Sequence, residues 1–140
     1  MLRGMAHVAF YADDLDAAER WYGEVFGMKA YYHVPGYVEF RVGDYSQEFG
    51  LIDGRFRPPG TPAQPGGEIL HWHVDDLPAE FERLLSLGAK EYEAPREHGP
   101  GFVTASVVDP FGNILGVMYN QHYLDMRAEI RGANAPGPNR

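Results

Sequence analysis

Cysteine is absent from the 140 residues. That absence excludes a disulfide framework, thiolate zinc, iron–sulfur clusters and thiol catalysis together. Positive charge is scarce: 12 Lys+Arg stand against 20 Asp+Glu, a net charge of −8. An acidic surface repels phosphate backbones and anionic lipid, so neither nucleic acid nor a membrane is expected as a partner. Long apolar runs are also missing. No stretch approaches the roughly 20 residues of a spanning helix, and Met1-Leu2-Arg3 does not lead into the apolar core of a signal sequence. The expected location is cytoplasmic. Ser46, Ser86 and Ser106 lie in no strained elbow motif, and neither a phosphate-cradling Gly-rich loop nor a dinucleotide fingerprint is present. What the chain does have is 44% hydrophobic and 14% aromatic residues, enough to exclude disorder for most of its length. Its length allows one domain, or two very small modules sharing a core.

An internal repeat decides between these. His7-Val8-Ala9-Phe10-Tyr11-Ala12-Asp13-Asp14-Leu15 recurs 62 residues on, Asp13 to Asp75, as Ile69-Leu70-His71-Trp72-His73-Val74-Asp75-Asp76-Leu77. Each copy alternates as a strand does and then reaches Asp-Asp-Leu. The carboxylate of Asp13 or Asp14, and of Asp75 or Asp76, can accept from the free N–H groups of a starting helix. Leu15, Ala18, Trp21, Tyr22, Val25 and Phe26 follow at helical spacing in the first copy, and Leu77, Phe81, Leu84 and Leu85 in the second. Gly27 and Gly88 supply left-handed stops. Three strand-like stretches follow each helix: about 30–34, 37–42 and 46–52, then about 91–94, 103–108 and 114–119. The order is βαβββ twice. Module one spans about 5–53 and module two about 68–120, joined by a Pro/Gly-rich linker at 54–67. A C-terminal segment at 121–130 completes a single domain of 1–130, with a short helix expected over Tyr123 to Ile130 and a flexible tail over 131–140.

The repeated βαβββ order, His7-Val8-Ala9-Phe10 leading to Asp13-Asp14-Leu15, Trp21-Tyr22-Gly23-Glu24-Val25-Phe26-Gly27-Met28, and Asp109-Pro110-Phe111-Gly112-Asn113 before the last strand carry a resemblance. Over nearly all of residues 5–120 the chain resembles the vicinal oxygen chelate superfamily, the glyoxalase/bleomycin-resistance/dioxygenase group. The resemblance implies an α+β fold: two βαβββ modules forming a curved mixed sheet, helices outside, with a concave ligand cup. Period-2 alternation then places Val8, Phe10, Leu70, Trp72 and Val74 beneath the helices. His7, Ala9, Tyr11, Ile69, His71 and His73 face the cup.

Metal-using members of the superfamily take one ligand from the first and one from the last strand of each module. Carried over, the positions are His7, Glu48, Ile69 and Gly116. Two of these cannot coordinate through a side chain, whereas catalytic sites generally need about three protein ligands. No cofactor is therefore expected. The alternative is a divalent metal on His7 and Glu48 with His71 or His73, although His71 lies two residues, roughly 6–7 Å, along the strand from Ile69. The expected ligand-binding cup comprises His7, Tyr11, Glu48, Ile69, His71, His73, Ile114, Gly116 and Met118, with His71 and His73 as candidates for proton transfer.

Two functions fit. One is a metal-free protein holding a small organic ligand in an apolar and aromatic cup, like the drug-sequestering members. The other is an enzyme, a glyoxalase-like lyase or isomerase or a dioxygenase, using His7 and Glu48 with His71 or His73. A homodimer is expected in either case, as two-fold pairing is the commonest oligomer.

Overall fold

The computed structural model describes residues 1–134. The strands are β1 (His7–Ala12), β2 (Tyr32–Val34), β3 (Tyr37–Val42), β4 (Gln47–Asp53), β5 (Leu70–His73), β6 (Lys90–Gly99), β7 (Phe102–Val108) and β8 (Ile114–Asn120). Helix α1 (Leu15–Phe26) follows β1, α2 (Leu77–Ser86) follows β5, and α3 (Gln121–Asn134) ends the described chain. This is an α+β fold of two βαβββ modules.

The local signals act as their chemistry requires. Asp14 Oδ1 accepts from Ala17 N at 3.0 Å and Asp76 Oδ1 from Ala79 N at 3.1 Å, so the second Asp of each pair is the cap. The first Asp of each pair turns elsewhere: Asp13 pairs with Arg57 of the linker, and Asp75 faces His73. Gly27 ends α1 at φ +64°, a conformation that a side chain disfavours. Gly88 takes φ +104° just after α2.

Tyr22, Phe40, Phe49 and Leu51 are fully buried. Tyr22 and Phe26 from α1 pack on Phe49 with ring centroids 4.9 and 5.2 Å away, and Trp72 of module two closes on Phe26 at 5.6 Å. Burying each such ring contributes roughly 2–3 kcal/mol. Val8, Phe10, Leu70, Trp72 and Val74 all pack against this core, the face that their alternation assigns. The helices are also joined end to end. Arg83 of α2 donates to the carbonyls of Glu24 and Val25 at 2.6 and 3.1 Å, neutralising the negative end of α1, and Trp21 Nε1 donates to Leu87 O at 2.7 Å.

The strand order is β1-β4-β3-β2 in module one and β5-β8-β7-β6 in module two. The single sheet expected from the sequence is instead two separate four-stranded mixed sheets, because among the described residues no strand of one module pairs with a strand of the other; β1 and β5 are edge strands that meet along a seam. Asn113 spans it by donating from Nδ2 to Tyr11 O at 2.9 Å.

Two segments exceed their sequence bounds. The irregular edge strand β6 runs to Gly99 although exposed almost throughout, because β7 supplies its partners past several register shifts. Helix α3 begins at Gln121 and continues to Asn134, through the first four residues assigned to the tail. Residues 135–140 of that expected tail lie outside the described residues.

Candidate functional site

The outward face of module one gathers the polar chemistry. His7 on β1 lies directly opposite Glu48 on the parallel strand β4. His7 Nδ1 is 3.8 Å from Glu48 Oε1. A third group comes from β3, where Glu39 pairs with Gly50 of β4. One ligand atom from each of His7, Glu39 and Glu48 lies within 4.8 Å of the others. Gly50 provides the space for this arrangement. A Cβ there would stand 2.9 Å from His7 Cε1 and 2.8 Å from Tyr37 Cε2, so any side chain would push both rings aside.

Glu39 is the anchored member, its side chain 9% exposed. The Tyr37 hydroxyl donates to Oε1 at 3.0 Å and Arg41 Nε donates to Oε2 at 3.3 Å. Burial pushes the Glu39 carboxyl up, but Tyr37, Glu48 and Arg41 together hold it below its ordinary value. The Tyr37 phenol is pushed up to about 12, first by burial and then by its bond to Glu39. Tyr37 therefore keeps its proton at neutral pH, and Glu39 is held as a carboxylate. One imidazole nitrogen and two carboxylate oxygens converging on an open face match the donor number of a three-ligand divalent site.

Module two does not match it. A Cβ on Gly116 would lie 2.8 Å from Leu70 O, 2.9 Å from Ile69 Cγ2 and 2.7 Å from His71 Cδ2. No carboxylate fits at that position, and Ile69 has no donor. The four-position set implied by the superfamily is thus not available. Strand register also revises the carry-over. Ala9 pairs with Gly50 and its repeat mate His71 pairs with Gly116, so the counterpart of Gly116 is Gly50, not Glu48. Glu48 corresponds instead to Ile114, two residues earlier in β8.

His73 is tied into the frame. Its side chain is 8% exposed, Nδ1 accepts from Asn120 N at 3.2 Å, and Nε2 faces Asp75 Oδ1 at 3.3 Å. Its ring stacks on Tyr123 of α3 at 4.7 Å and 12°. Among the described residues, the three-donor group found contains neither His71 nor His73; Glu39 takes the place offered to them.

The remaining cup residues divide between two cavities along the seam. Glu48, His71, His73 and Met118 line a cavity of about 820 Å³ beside α3. Tyr11, Ile69 and Ile114 line another of about 860 Å³ beneath the linker. Met5, Val8 and Leu70 stand between the two. Glu39 is the residue that the sequence reading misses. Its signal is visible afterwards: in Tyr37-Val38-Glu39-Phe40-Arg41-Val42 the carboxylate alternates with three buried apolar residues, which sets it on the same face as Tyr37 and Arg41.

Comparison with known proteins agrees with this architecture. The family model described as Glyoxalase/Bleomycin resistance protein/Dioxygenase superfamily matches residues 4–117. A search of curated proteins gives no match. Among solved structures, the lactoylglutathione lyase of Agrobacterium tumefaciens is 28% identical at TM-score 0.62, covering 82% of this chain and 92% of that one. A fosfomycin resistance protein of Mesorhizobium loti is 17% identical at TM-score 0.67, covering 90% and 99%. A bleomycin resistance determinant encoded on the transposon Tn5 is 21% identical at TM-score 0.61, covering 85% and 99%. The last two likenesses speak for the fold.

Proposed function

This chain belongs to the glyoxalase/bleomycin resistance protein/dioxygenase superfamily, and within it we propose a small-molecule-binding protein whose module-one face holds a divalent metal ion on His7, Glu39 and Glu48. The observation that supports the reading is the convergence of these three donors within 4.8 Å. The two-donor count that argues against metal in the sequence becomes three once Glu39 is added. When bound, such an ion would supply a Lewis-acid anchor for the oxygen atoms of a small organic ligand.

The chain's own groups have defined tasks there. Tyr37 and Arg41 fix the Glu39 carboxylate by one hydrogen bond to each oxygen, which leaves further lone pairs for coordination. Gly50 leaves the space that the His7 ring occupies. Glu48, 42% exposed, is the solvent-facing carboxylate of the three. His73, held by Asn120 and Asp75, is a wall and not a base.

The test is calorimetric. Tag-free protein stripped with chelator is titrated with Mn²⁺ and with Zn²⁺, alongside His7→Ala. One equivalent bound by the parent and none by the variant supports the reading; no stoichiometric binding to the parent overturns it. One observation favours a second reading, the metal-free binder. The Arg41 guanidinium beside Glu39 already supplies positive charge, so a ligand hydroxyl or amine can be taken up by His7 and Glu48 alone. Tight binding of an organic ligand after metal stripping, unchanged by added Mn²⁺, selects it. In both readings the chain is taken to act as a homodimer in the cytoplasm; a monomer in light scattering would overturn the first of those.

A further inference from the structure

The cavity of about 820 Å³ beside α3 does not include His7 or Glu39, so it extends beyond the proposed metal centre and meets it only at Glu48. Its size is that of a drug-sized ligand site. Val8, Leu70, Trp72, Met118 and Leu124 give it an apolar and aromatic wall. Five carboxylates line it, Asp44, Glu48, Asp75, Asp76 and Glu80, against the single guanidinium of Arg127 and the imidazoles of His71 and His73.

That guanidinium is already committed. Arg127 Nε lies 3.0 Å from Asp44 Oδ2, and the Tyr123 hydroxyl donates to the same oxygen at 2.9 Å. These contacts latch α3 onto the β3–β4 hairpin of module one and set Tyr123 as a fixed aromatic side of the cavity, with Tyr45 edge-on to it at 6.1 Å. The other carboxylates keep open faces. Asp75 is 92% exposed beyond its contact with His73, and Glu80 stands 3.6 Å from Arg83 at the rim. A concave, low-dielectric wall bearing this excess of negative charge attracts cations and rejects anions. The exposed π faces of aromatic residues add to that preference.

We propose that this cavity binds an apolar organic cation of drug size, its hydrocarbon body against Val8, Leu70, Met118 and Leu124 and its charge beneath the acidic rim. The site stands whether or not His7, Glu39 and Glu48 hold an ion, since only Glu48 is shared.

The probes are ethidium, a planar organic cation, and fluorescein, a planar anion of similar size, each titrated by fluorescence anisotropy into chelator-stripped protein. Saturable ethidium binding at one equivalent, with fluorescein at least tenfold weaker, is the expected result. Two variants locate it. Asp75→Asn combined with Glu80→Gln removes two rim charges outside the hydrophobic core and should weaken ethidium five- to tenfold. Leu124→Trp fills the apolar side from α3 and should abolish binding while leaving the thermal melt in place. Fluorescein binding as tightly as ethidium, or either variant matching the parent, overturns the proposal. Because metal is removed throughout, this outcome is separate from that of the Mn²⁺ titration.

Discussion

The two modules share one frame and differ in one face. Registering them on their repeat, Gly50 of β4 corresponds to Gly116 of β8, and each has a histidine ring against the place where its Cβ would be: His7 over Gly50, His71 over Gly116. Around that common point the side chains diverge. Module one sets Glu39 across from Gly50, Arg41 across from Glu48, and His7 on the other side of Glu48. Module two sets Ser106 across from Gly116 and Val108 across from Ile114, with Ile69 in the place of His7. Among the described residues, the duplicated fold therefore carries its three-donor cluster in module one alone. Caps, core and turns are constrained by packing in both copies, whereas the outward face of a sheet is free to keep or lose polar groups without affecting the core.

The strongest way to break this comparison is through Glu39 and Ser106, which occupy the same position in the two modules. Glu39→Gln removes a buried charged donor from the proposed metal centre, and Mn²⁺ affinity should fall by about 100-fold or more, since even outer-shell partners of metal ligands are typically worth 10–100-fold. Ser106→Ala deletes a hydroxyl that donates to Glu93 at 3.4 Å and should leave Mn²⁺ affinity within twofold. Calorimetry on both variants decides it. Equal losses would mean that the two faces work as one site.

The paired glycines sharpen the comparison on stability. At Gly116 an added Cβ collides with the backbone oxygen of Leu70, which cannot move without disturbing β5. Gly116→Ala should cost about 2–3 kcal/mol, the upper range for overpacking. At Gly50 the obstacles are the His7 and Tyr37 rings, which can swing outward, so Gly50→Ala should cost about 1 kcal/mol. The milder variant should nevertheless lose Mn²⁺ binding, because His7 is displaced. Urea unfolding with parallel metal titration separates these effects; a larger loss at Gly50 would contradict the assignment of rigid and yielding neighbours.

How much of this the sequence makes legible depends on the range of the signal. Asp14 and Asp76 cap helices through a carboxylate three residues from its partner N–H, so Asp-Asp-Leu can be read locally. The inward faces of β1 and β5 follow from alternation and are found as expected. Register between strands is different, because it is a relation between distant segments. Before β8, Asp109-Pro110-Phe111-Gly112-Asn113 fixes the entry: Asp109 accepts from Phe111 N and Asn113 N at 2.9 and 2.8 Å. Before β4, the turn through Gly43 and Ser46, with Ser46 at φ +51°, has no such marker. Counting from the Asp-Pro turn alone thus matches Glu48 with Gly116 when its true mate is Ile114. Glu39 escapes for the same reason, since its closeness to His7 exists only across β4. The extent of α3 is also hidden: Tyr123 and Arg127 make its named tertiary contacts, and residues 128–133 are exposed.

If the frame is symmetric, the caps should respond equally. Asp14→Ala and Asp76→Ala each remove one carboxylate acceptor from a first-turn N–H, at 3.0 and 3.1 Å. Each should cost about 1 kcal/mol. Thermal or urea unfolding of the two single variants tests this, and a difference well beyond that value would place the modules' folding stabilities apart along with their faces.

The smallest effect is a difference in the direction of pH dependence between the buried carboxylates, one per module. Glu39 is held below its ordinary value. Its contribution is present above the ordinary glutamate range and lost as pH falls through the lower folded value. Asp109 moves the opposite way. Burial pushes it above its ordinary value despite hydrogen bonds from Tyr22, Asn113 and Phe111. Its contribution is full below the ordinary aspartate range and lost as pH rises through the higher folded value. In metal-free protein, the stability gap between the parent and Glu39→Gln should therefore narrow as pH is lowered, while Asp109→Asn should gain on the parent as pH is raised. Urea midpoints measured from about pH 3 to pH 7 follow both slopes. Slopes of the same sign would show that the two carboxylates sit in equivalent environments, which the bonds to Tyr37 and Arg41 on one and the buried Tyr22 hydroxyl on the other argue against.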